Sequence, residues 1–254
     1  MGEVEQAGGS IAGQVAVVVG AAGGIGRAVA ARLGAAGCRL ALVDLEGAAL
    51  QAAAAELGLE GALALAADIT RAEEVAGAAR AVAEAWGGAD ILVNAAGINT
   101  RERTLEDLSA EQWEQVIGVN LTGVFHCTRA FLPLMRRRGG GAIVTVVSTA
   151  AGLVSPGAGT HYCAAKRALL SLTESINLEQ GKHGIRACAL SPGEVDTPLV
   201  DRRPEPPSAE RRAAMLRPAD VAEAVYFVVS RPPRVTISDL VIWPSAQISG
   251  KYVV

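Results

Sequence analysis

Val15-Ala16-Val17-Val18-Val19-Gly20-Ala21-Ala22-Gly23-Gly24-Ile25-Gly26 is the stretch on which the fold turns. Its first five residues are all apolar and mostly β-branched. They read as a short strand covered on both faces, the habit of a parallel sheet. The residues over 25–36 carry helical spacing and stop at Gly37. A strand, a glycine turn and a helix in that order aim the helix's free N–H groups and positive dipole end beyond the strand tip. Glycines at 20, 23, 24 and 26 let the backbone approach a pyrophosphate where side chains would stand in the way.

The same alternation runs to the end of the chain. Strands are expected over 39–44, 62–66, 91–94, 142–147, 185–190 and 235–243. Helices are expected over 48–57, 72–86, 109–136, 161–180 and 218–230. Thr70 reads as an N-cap for the 72–86 helix, Ser109-x-x-Gln112 as a capping box, and Pro218 as a helix opener. Strands alternating with helices imply an α/β fold: a Rossmann-type, doubly wound parallel sheet of about seven strands with helices on both faces. No break in composition marks a second domain, so one domain over 1–254 is expected. The irregular stretch 192–217, with Pro204, Pro206 and Pro207 among charges, is either an exposed connection or, over 198–217, a mobile lid on a site.

Composition excludes several function classes. The chain has 254 residues, of which 50% are hydrophobic, and 23 basic side chains face 26 acidic ones. A net charge of −3 gives no electrostatic footprint for DNA, RNA or an anionic membrane. No apolar run approaches the roughly 20 residues that span a bilayer. The acidic opening Met1-Gly2-Glu3-Val4-Glu5 does not read as a signal peptide, and Gln6 stands where a Gly2 myristoylation motif needs Ser or Thr. Cys38, Cys127, Cys163 and Cys188 lack metal-ligand or CxxC spacing and read as small buried hydrophobes. His126, His161 and His183 show no metal spacing either, with His161 expected at a rim or in solvent and no metal site expected. The arginines at 136–138 suit a helix C-terminus. A reduced, cytoplasmic protein is the expectation.

Two constellations carry chemistry. Asp44 closes the second strand, 18 residues after Gly26. A carboxylate there accepts hydrogen bonds from ribose hydroxyls and repels a 2′-phosphate, and neither Gly23 nor Leu45 supplies a cation to neutralise one. NAD is therefore expected rather than NADP. Tyr162-Cys163-Ala164-Ala165-Lys166 puts a phenol and an ammonium on one helix face. Bringing a tyrosine from pKa 10 towards about 7 takes roughly 4 kcal/mol. A unit charge about 4 Å away, at an effective dielectric near 20, supplies about that much, so one lysine, helped by oxidised nicotinamide, is enough.

The G-x-x-x-G-x-G turn, Asp44 and Tyr162-x-x-x-Lys166 together resemble the short-chain dehydrogenase/reductase family along nearly the whole chain, although Val19 stands where that family usually has Thr. The resemblance implies cofactor contacts at Gly20, Gly23, Gly24, Ile25, Gly26, Asp44 and Leu45. It extends them to Asp68 and Ile69 near the adenine, and to Asn94-Ala95-Ala96-Gly97, where Ala95 replaces the second Asn of the family's N-N-A-G. It adds Tyr162 and Lys166, and it adds Pro192, Gly193, Val195 and Thr197 in a segment wrapping the nicotinamide.

The catalytic set it implies is Tyr162 as acid/base, Lys166, Asn120 on a proton-relay water, and one hydroxyl. Counting forward from the 142–147 strand selects Ser148; counting back from Tyr162 selects Thr149. Ser148 is preferred on strand register and residue type. The implied reaction is hydride transfer between a secondary alcohol or ketone and nicotinamide. A catalytically silent dinucleotide sensor or scaffold is the competing reading. A lyase or epimerase would need a longer chain.

Residues 239–247 resemble the branch acting on 3-hydroxy acids and related small polar alcohols. Arg202, Arg203, Arg211 and Arg212 of the lid are each available to a substrate carboxylate, with solvation expected for most. A small-molecule alcohol or carbonyl partner and a homo-oligomer, dimer or tetramer, are implied. The long helices and the strand at 238–243 would form its interface.

Overall fold

A computed structural model of the chain describes residues 9–154 and 157–248; the readings at residues 1–6 and the two ends of the expected 1–254 domain lie outside them. Seven parallel strands form the sheet: β1 (Val15–Val19), β2 (Arg39–Asp44), β3 (Leu63–Ala66), β4 (Ile91–Asn94), β5 (Gly141–Val146), β6 (Ile185–Pro192) and β7 (Asp239–Ile242). Their order is β3-β2-β1-β4-β5-β6-β7, so the winding direction reverses between β1 and β4. That reversal opens a crevice at the carboxyl ends of the strands, where ligands of such sheets bind.

Strand alternation divides the core in two. Ala16 and Val18 of β1 face one cluster, which takes in Val29 and Leu33 of α1 (Gly24–Ala35), Leu50 of α2 (Gly47–Glu56), and Val221 and Val225 of α8 (Pro218–Val229). Val15, Val17 and Val19 face the other, with Val75 and Val82 of α3 (Ala72–Trp86), Phe131 and Met135 of α5 (Val124–Arg137) and Ile176 of α6 (Thr160–Gln180). Every residue of β1 is buried, as the unbroken apolar run requires of a strand covered on both sides.

The departures from expectation are local. Thr70 does not cap α3. The N-cap is Arg71, without a side-chain bond, while the Thr70 amide and hydroxyl both donate to Asp68 Oδ1, at 2.9 and 2.7 Å. The Asp68 carboxylate wins because it closes an Asx-type turn two residues ahead. The Ser109–Gln112 capping box is present at the start of α4 (Ala110–Ile117). The helix expected over 109–136 is interrupted by a π turn, Gly118–Gly123, before α5.

The last strand is shorter than expected, four residues on the sheet edge, and Val241 is partly exposed. The stretch 192–217 holds a 3₁₀ turn (Pro198–Arg202) and the short helix α7 (Ala209–Ala213), and α9 (Ser245–Ile248) ends the described chain. Among the described residues no helix is long and apolar enough to cross a membrane, and no acidic, His or Cys cluster could hold a metal ion.

Candidate active site

The expected site residues gather at the carboxyl edge of the sheet, because each follows a strand or stands on a helix packed behind one. The glycine turn closes tightly on itself. Gly20 has φ +80°, and a Cβ there would lie 2.6 Å from Ala96 N; a Cβ on Gly26 would run into Gly20 O. Gly23 is the N-cap of α1 and makes no side-chain cap, so the amides of Gly24, Ile25 and Gly26 keep the open donors of a first helical turn. An uncapped N-terminus facing a crevice suits an anion, and a dinucleotide pyrophosphate fits it.

Asp44 faces the same turn. Its Oδ2 accepts from Ala22 N at 2.9 Å and its Oδ1 from Leu45 N at 2.8 Å. These bonds hold the carboxylate in one orientation, and each oxygen retains a second lone pair for a ribose hydroxyl. Asp68 commits one oxygen to Thr70, while Ile69 is buried and its carbonyl accepts from His126 Nδ1 at 3.0 Å.

On the far side of the crevice, Ala95 N donates to Val19 O at 2.9 Å, which seats the β4 exit on the glycine turn. Asn94 is buried with both amide atoms unpartnered. Gly97 lies against both Asn120 and Lys166, each of whose polar atoms would be 3.6 Å, an ordinary contact distance, from a Cβ there. The segment after β6 closes the ring. Gly193 N donates to Ile242 O, Val195 is buried and bridges to Leu216, and the Thr197 methyl would lie 2.9 Å from a Cβ on Gly24.

Tyr162 and Lys166 stand one turn apart on α6, with Lys166 Nζ 5.5 Å from the Tyr162 ring centroid. The ammonium is 3% exposed and donates to Val146 O at 2.9 Å. Desolvation lowers its pKa to about 8. Burial raises the pKa of Tyr162, opposed by a hydrogen bond with Ser148 and by the charges of Arg103 and Arg203. Burial outweighs the Ser148 bond and the two neighbouring guanidinia. The hydroxyl bonded to Tyr162 belongs to Ser148, which also accepts from Ala150 N at 3.1 Å; Thr149 begins a 3₁₀ turn.

Asn120 lies in the π turn, fully buried, and its amide pairs with both backbone groups of Ile98. Oδ1 accepts from Ile98 N at 2.8 Å and Nδ2 donates to Ile98 O at 2.9 Å. Its side chain therefore clamps the β4 exit, and one amide hydrogen remains for a water.

Three expectations about charged groups are overturned. His161 is not at a rim but fully buried, with Nε2 2.7 Å from Thr100 Oγ1, because Gly159 (φ +86°) turns the chain so that the first turn of α6 faces the 99–103 loop. Burial and then the charge of Arg103 lower its pKa. Cys38 is only half buried, unlike the other three cysteines. The lid arginines are not mainly solvated. Arg203 and Arg211 both pair with Glu194, at 2.6 and 2.7 Å, and Arg212 bridges Asp196 and Asp201. Burial acts to raise the Glu194 pKa, but the hydrogen bonds from Arg211 and Arg203 outweigh it and hold the carboxyl below its ordinary value.

Sequence reasoning missed Arg103. It sits in an irregular loop with no motif around it, and only the tertiary fold brings it beside His161 and Tyr162.

Comparison with known proteins agrees with this geometry. Residues 14–207 match the family model described as short chain dehydrogenase. A D-beta-hydroxybutyrate dehydrogenase from Rhizobium meliloti is 37% identical over 194 residues, 75% of this chain and 74% of that one. A 3-ketoacyl-(acyl-carrier-protein) reductase from Brucella melitensis, solved with NADH, superimposes with a TM-score of 0.84 at 33% identity, covering 92% of this chain and 98% of the other. An alcohol dehydrogenase from the archaeon Thermococcus sibiricus, solved with 5-hydroxy-NADP, gives 0.82 at 32% identity over 92% and 97%. A doubly wound sheet whose glycine turn, Tyr162 and Lys166 share one crevice, together with a family match over most of its length, makes this chain a member of the short-chain dehydrogenase family, and so an oxidoreductase built to bind a nicotinamide dinucleotide.

Proposed function

We propose that the protein is an NAD-dependent dehydrogenase, transferring a hydride between a secondary alcohol, or the matching ketone, and nicotinamide, with Tyr162 as the acid/base. One observation carries this reading: the phenol of the half-buried Tyr162 is bonded to the Ser148 hydroxyl and overlooked by a buried ammonium 5.5 Å from its ring, beside the uncapped helix of the glycine turn.

When bound, the dinucleotide would supply the hydride acceptor, and in its oxidised form a positive charge that favours the phenolate. Gly20, Gly23, Gly24, Ile25 and Gly26 hold its pyrophosphate, and Asp44 with Leu45 holds its adenosine ribose. Asp68 and Ile69 flank the adenine, Asn94, Ala95, Ala96 and Gly97 line the passage, and Pro192, Gly193, Val195 and Thr197 hold the nicotinamide end. Tyr162 takes the proton from the substrate hydroxyl while Ser148 steadies the oxygen as its carbonyl forms. Lys166 stabilises the phenolate and donates its remaining N–H groups to the nicotinamide ribose. Asn120 fixes the loop over the reacting centre and keeps an N–H for the water that returns the proton to solvent.

The fixed carboxylate of Asp44 favours NAD, since a 2′-phosphate there would meet an unneutralised negative charge. The hydroxybutyrate named in one relative accords with the 3-hydroxy-acid branch that residues 239–247 resemble. We place the protein in the cytoplasm, with no disulfide among the described cysteines, and as a dimer or tetramer. The partly exposed Phe125 on α5 and the exposed Leu178 on α6 suit a face shared between copies.

The test is NADH formation over a panel of hydroxy acids, sugars and neutral secondary alcohols, repeated with Tyr162→Phe. Turnover abolished by that change supports the assignment. Turnover unchanged removes Tyr162 as the acid/base, and NADH binding without any turnover favours a sensor.

A further inference from the structure

Glu194 ties three separated parts of the chain together. It follows Gly193 in the segment that leaves β6, and its side chain is 8% exposed. Its Oε1 accepts from Arg203 Nη1 at 2.6 Å and from Arg211 Nη2 at 2.7 Å, and its Oε2 accepts from Arg211 Nε at 3.1 Å. Its amide donates to Gln247 Oε1 of α9 at 3.2 Å, and its carbonyl accepts from Leu216 N at 2.9 Å. Burial works against the carboxylate charge, but the bonds from Arg211 and Arg203 prevail and keep it ionised at neutral pH. Hydrogen bonds between charged partners are about twice as strong as neutral ones, so this clasp is the firmest attachment the segment has.

The segment needs such attachments. Between β6 and the 3₁₀ turn, residues 193–197 form neither helix nor strand, only a single bridge from Val195 to Leu216. Both flanks of Glu194 bear on the crevice. On one side, a Cβ on Gly193 would lie 2.6 Å from Gln247 Oε1 and 2.7 Å from Pro244, so the backbone is seated against the end of the chain. On the other, Asp196 is paired with Arg212 at 2.7 Å, and the Thr197 methyl lies over Gly24 of the glycine turn.

We propose that Glu194 is a positioning residue for the nicotinamide half of the dinucleotide: by clasping Arg203 and Arg211 and taking support from Gln247, it holds the 193–197 segment as a preformed wall. This rests on the assignment of that segment to the nicotinamide end, made above, and names the side chain that fixes it. Glu194 acts through the backbone on either side of it. A wall that is already ordered spares the binding step the entropy of ordering it.

The experiment measures affinity for NADH, by fluorescence of the bound nicotinamide, and for ADP-ribose, by calorimetry. The proteins are the wild type, Glu194→Gln and Arg211→Gln, with a thermal melt of each. ADP-ribose shares the adenosine and pyrophosphate of NADH and lacks the nicotinamide ring. The wild type should bind NADH more tightly. Glu194→Gln keeps the side-chain shape and removes the charge, and Arg203 and Arg211, 25% and 30% exposed, are able to turn to water, so the fold should survive. That variant should weaken NADH about 10-fold and ADP-ribose less than about 2-fold. Arg211→Gln opens the same clasp from the other side and should give the same selective loss, smaller because Arg203 remains.

Equal losses for the two ligands, or no loss for either, would overturn the proposal, while tighter binding of NADH by the wild type would leave the nicotinamide assignment standing. Should Glu194→Gln fail to fold, the comparison of the two ligands on Arg211→Gln decides in the same way. A wild type that binds NADH no more tightly than ADP-ribose overturns both the assignment and the proposal.

Discussion

Replacing Lys166 by Met separates what this side chain does for stability from what it does for chemistry. Its pKa is lowered from 10.5 to about 8 by desolvation. At pH 7 the ammonium is charged in both folded and unfolded chains, and burying it costs the folded state about 3 kcal/mol. Its bond to Val146 O returns roughly 2 kcal/mol of that. Lys166→Met should therefore be as stable as the wild type at pH 7, or about 1 kcal/mol more so.

The sharper signature lies in pH. The folded pKa lies below the unfolded one, so between pH 8 and 10.5 the unfolded chain holds a proton that the folded chain has released. Wild-type stability consequently rises with pH through this window, by about 2 kcal/mol between pH 7 and 9.5 relative to the variant, which has no group to titrate. The other ionisable groups are common to both proteins and cancel in the difference. For a chain of this size that is a relative shift of about 4–8 °C in Tm. Reversible urea unfolding of both proteins without nucleotide, at pH 7 and 9.5, reads it directly. Parallel stabilities at the two pH values would refute the desolvation argument. NADH formation by the variant should fall by about 1000-fold, since the phenolate then lacks its fixed cation.

Other outcomes follow from single contacts. Gly26→Ala would drive a Cβ into Gly20 O and should cost about 3 kcal/mol or more in urea unfolding and abolish NADH binding; wild-type affinity would contradict the tight turn. Asp44→Ser removes the carboxylate and should shift the NAD-to-NADP ratio of kcat/KM towards NADP by about 100-fold; an unchanged ratio would take Asp44 out of cofactor choice. Ser148→Ala should lower kcat by about 100-fold or more while Thr149→Ala leaves it nearly unchanged; the reverse would move the oxygen-binding role to Thr149.

How far the chain could be read in advance depended on how local each signal was. β1, β2, β4 and α3 were legible to the residue, since a valine run closed by glycine and a long amphipathic repeat each have one physical solution. Tyr162 and Lys166 were legible for the same reason, as helical spacing alone puts them on one face. The end of β7 and the π turn at Asn120 were not, because an apolar edge segment and a single extra backbone residue leave no periodic trace.

The sequence by itself thus determined the doubly wound sheet, the glycine turn, and the pairing of phenol with ammonium, all encoded by neighbours within a turn or a strand. Only the tertiary structure decided that Ser148 bonds the phenol, that burial opposes its ionisation, that His161 turns inward, and that Arg103 comes close enough for its charge to act on Tyr162. Those outcomes depend on desolvation and on contacts between segments such as Arg103 and Ala158, 55 residues apart. Neither can be read from a window of chain.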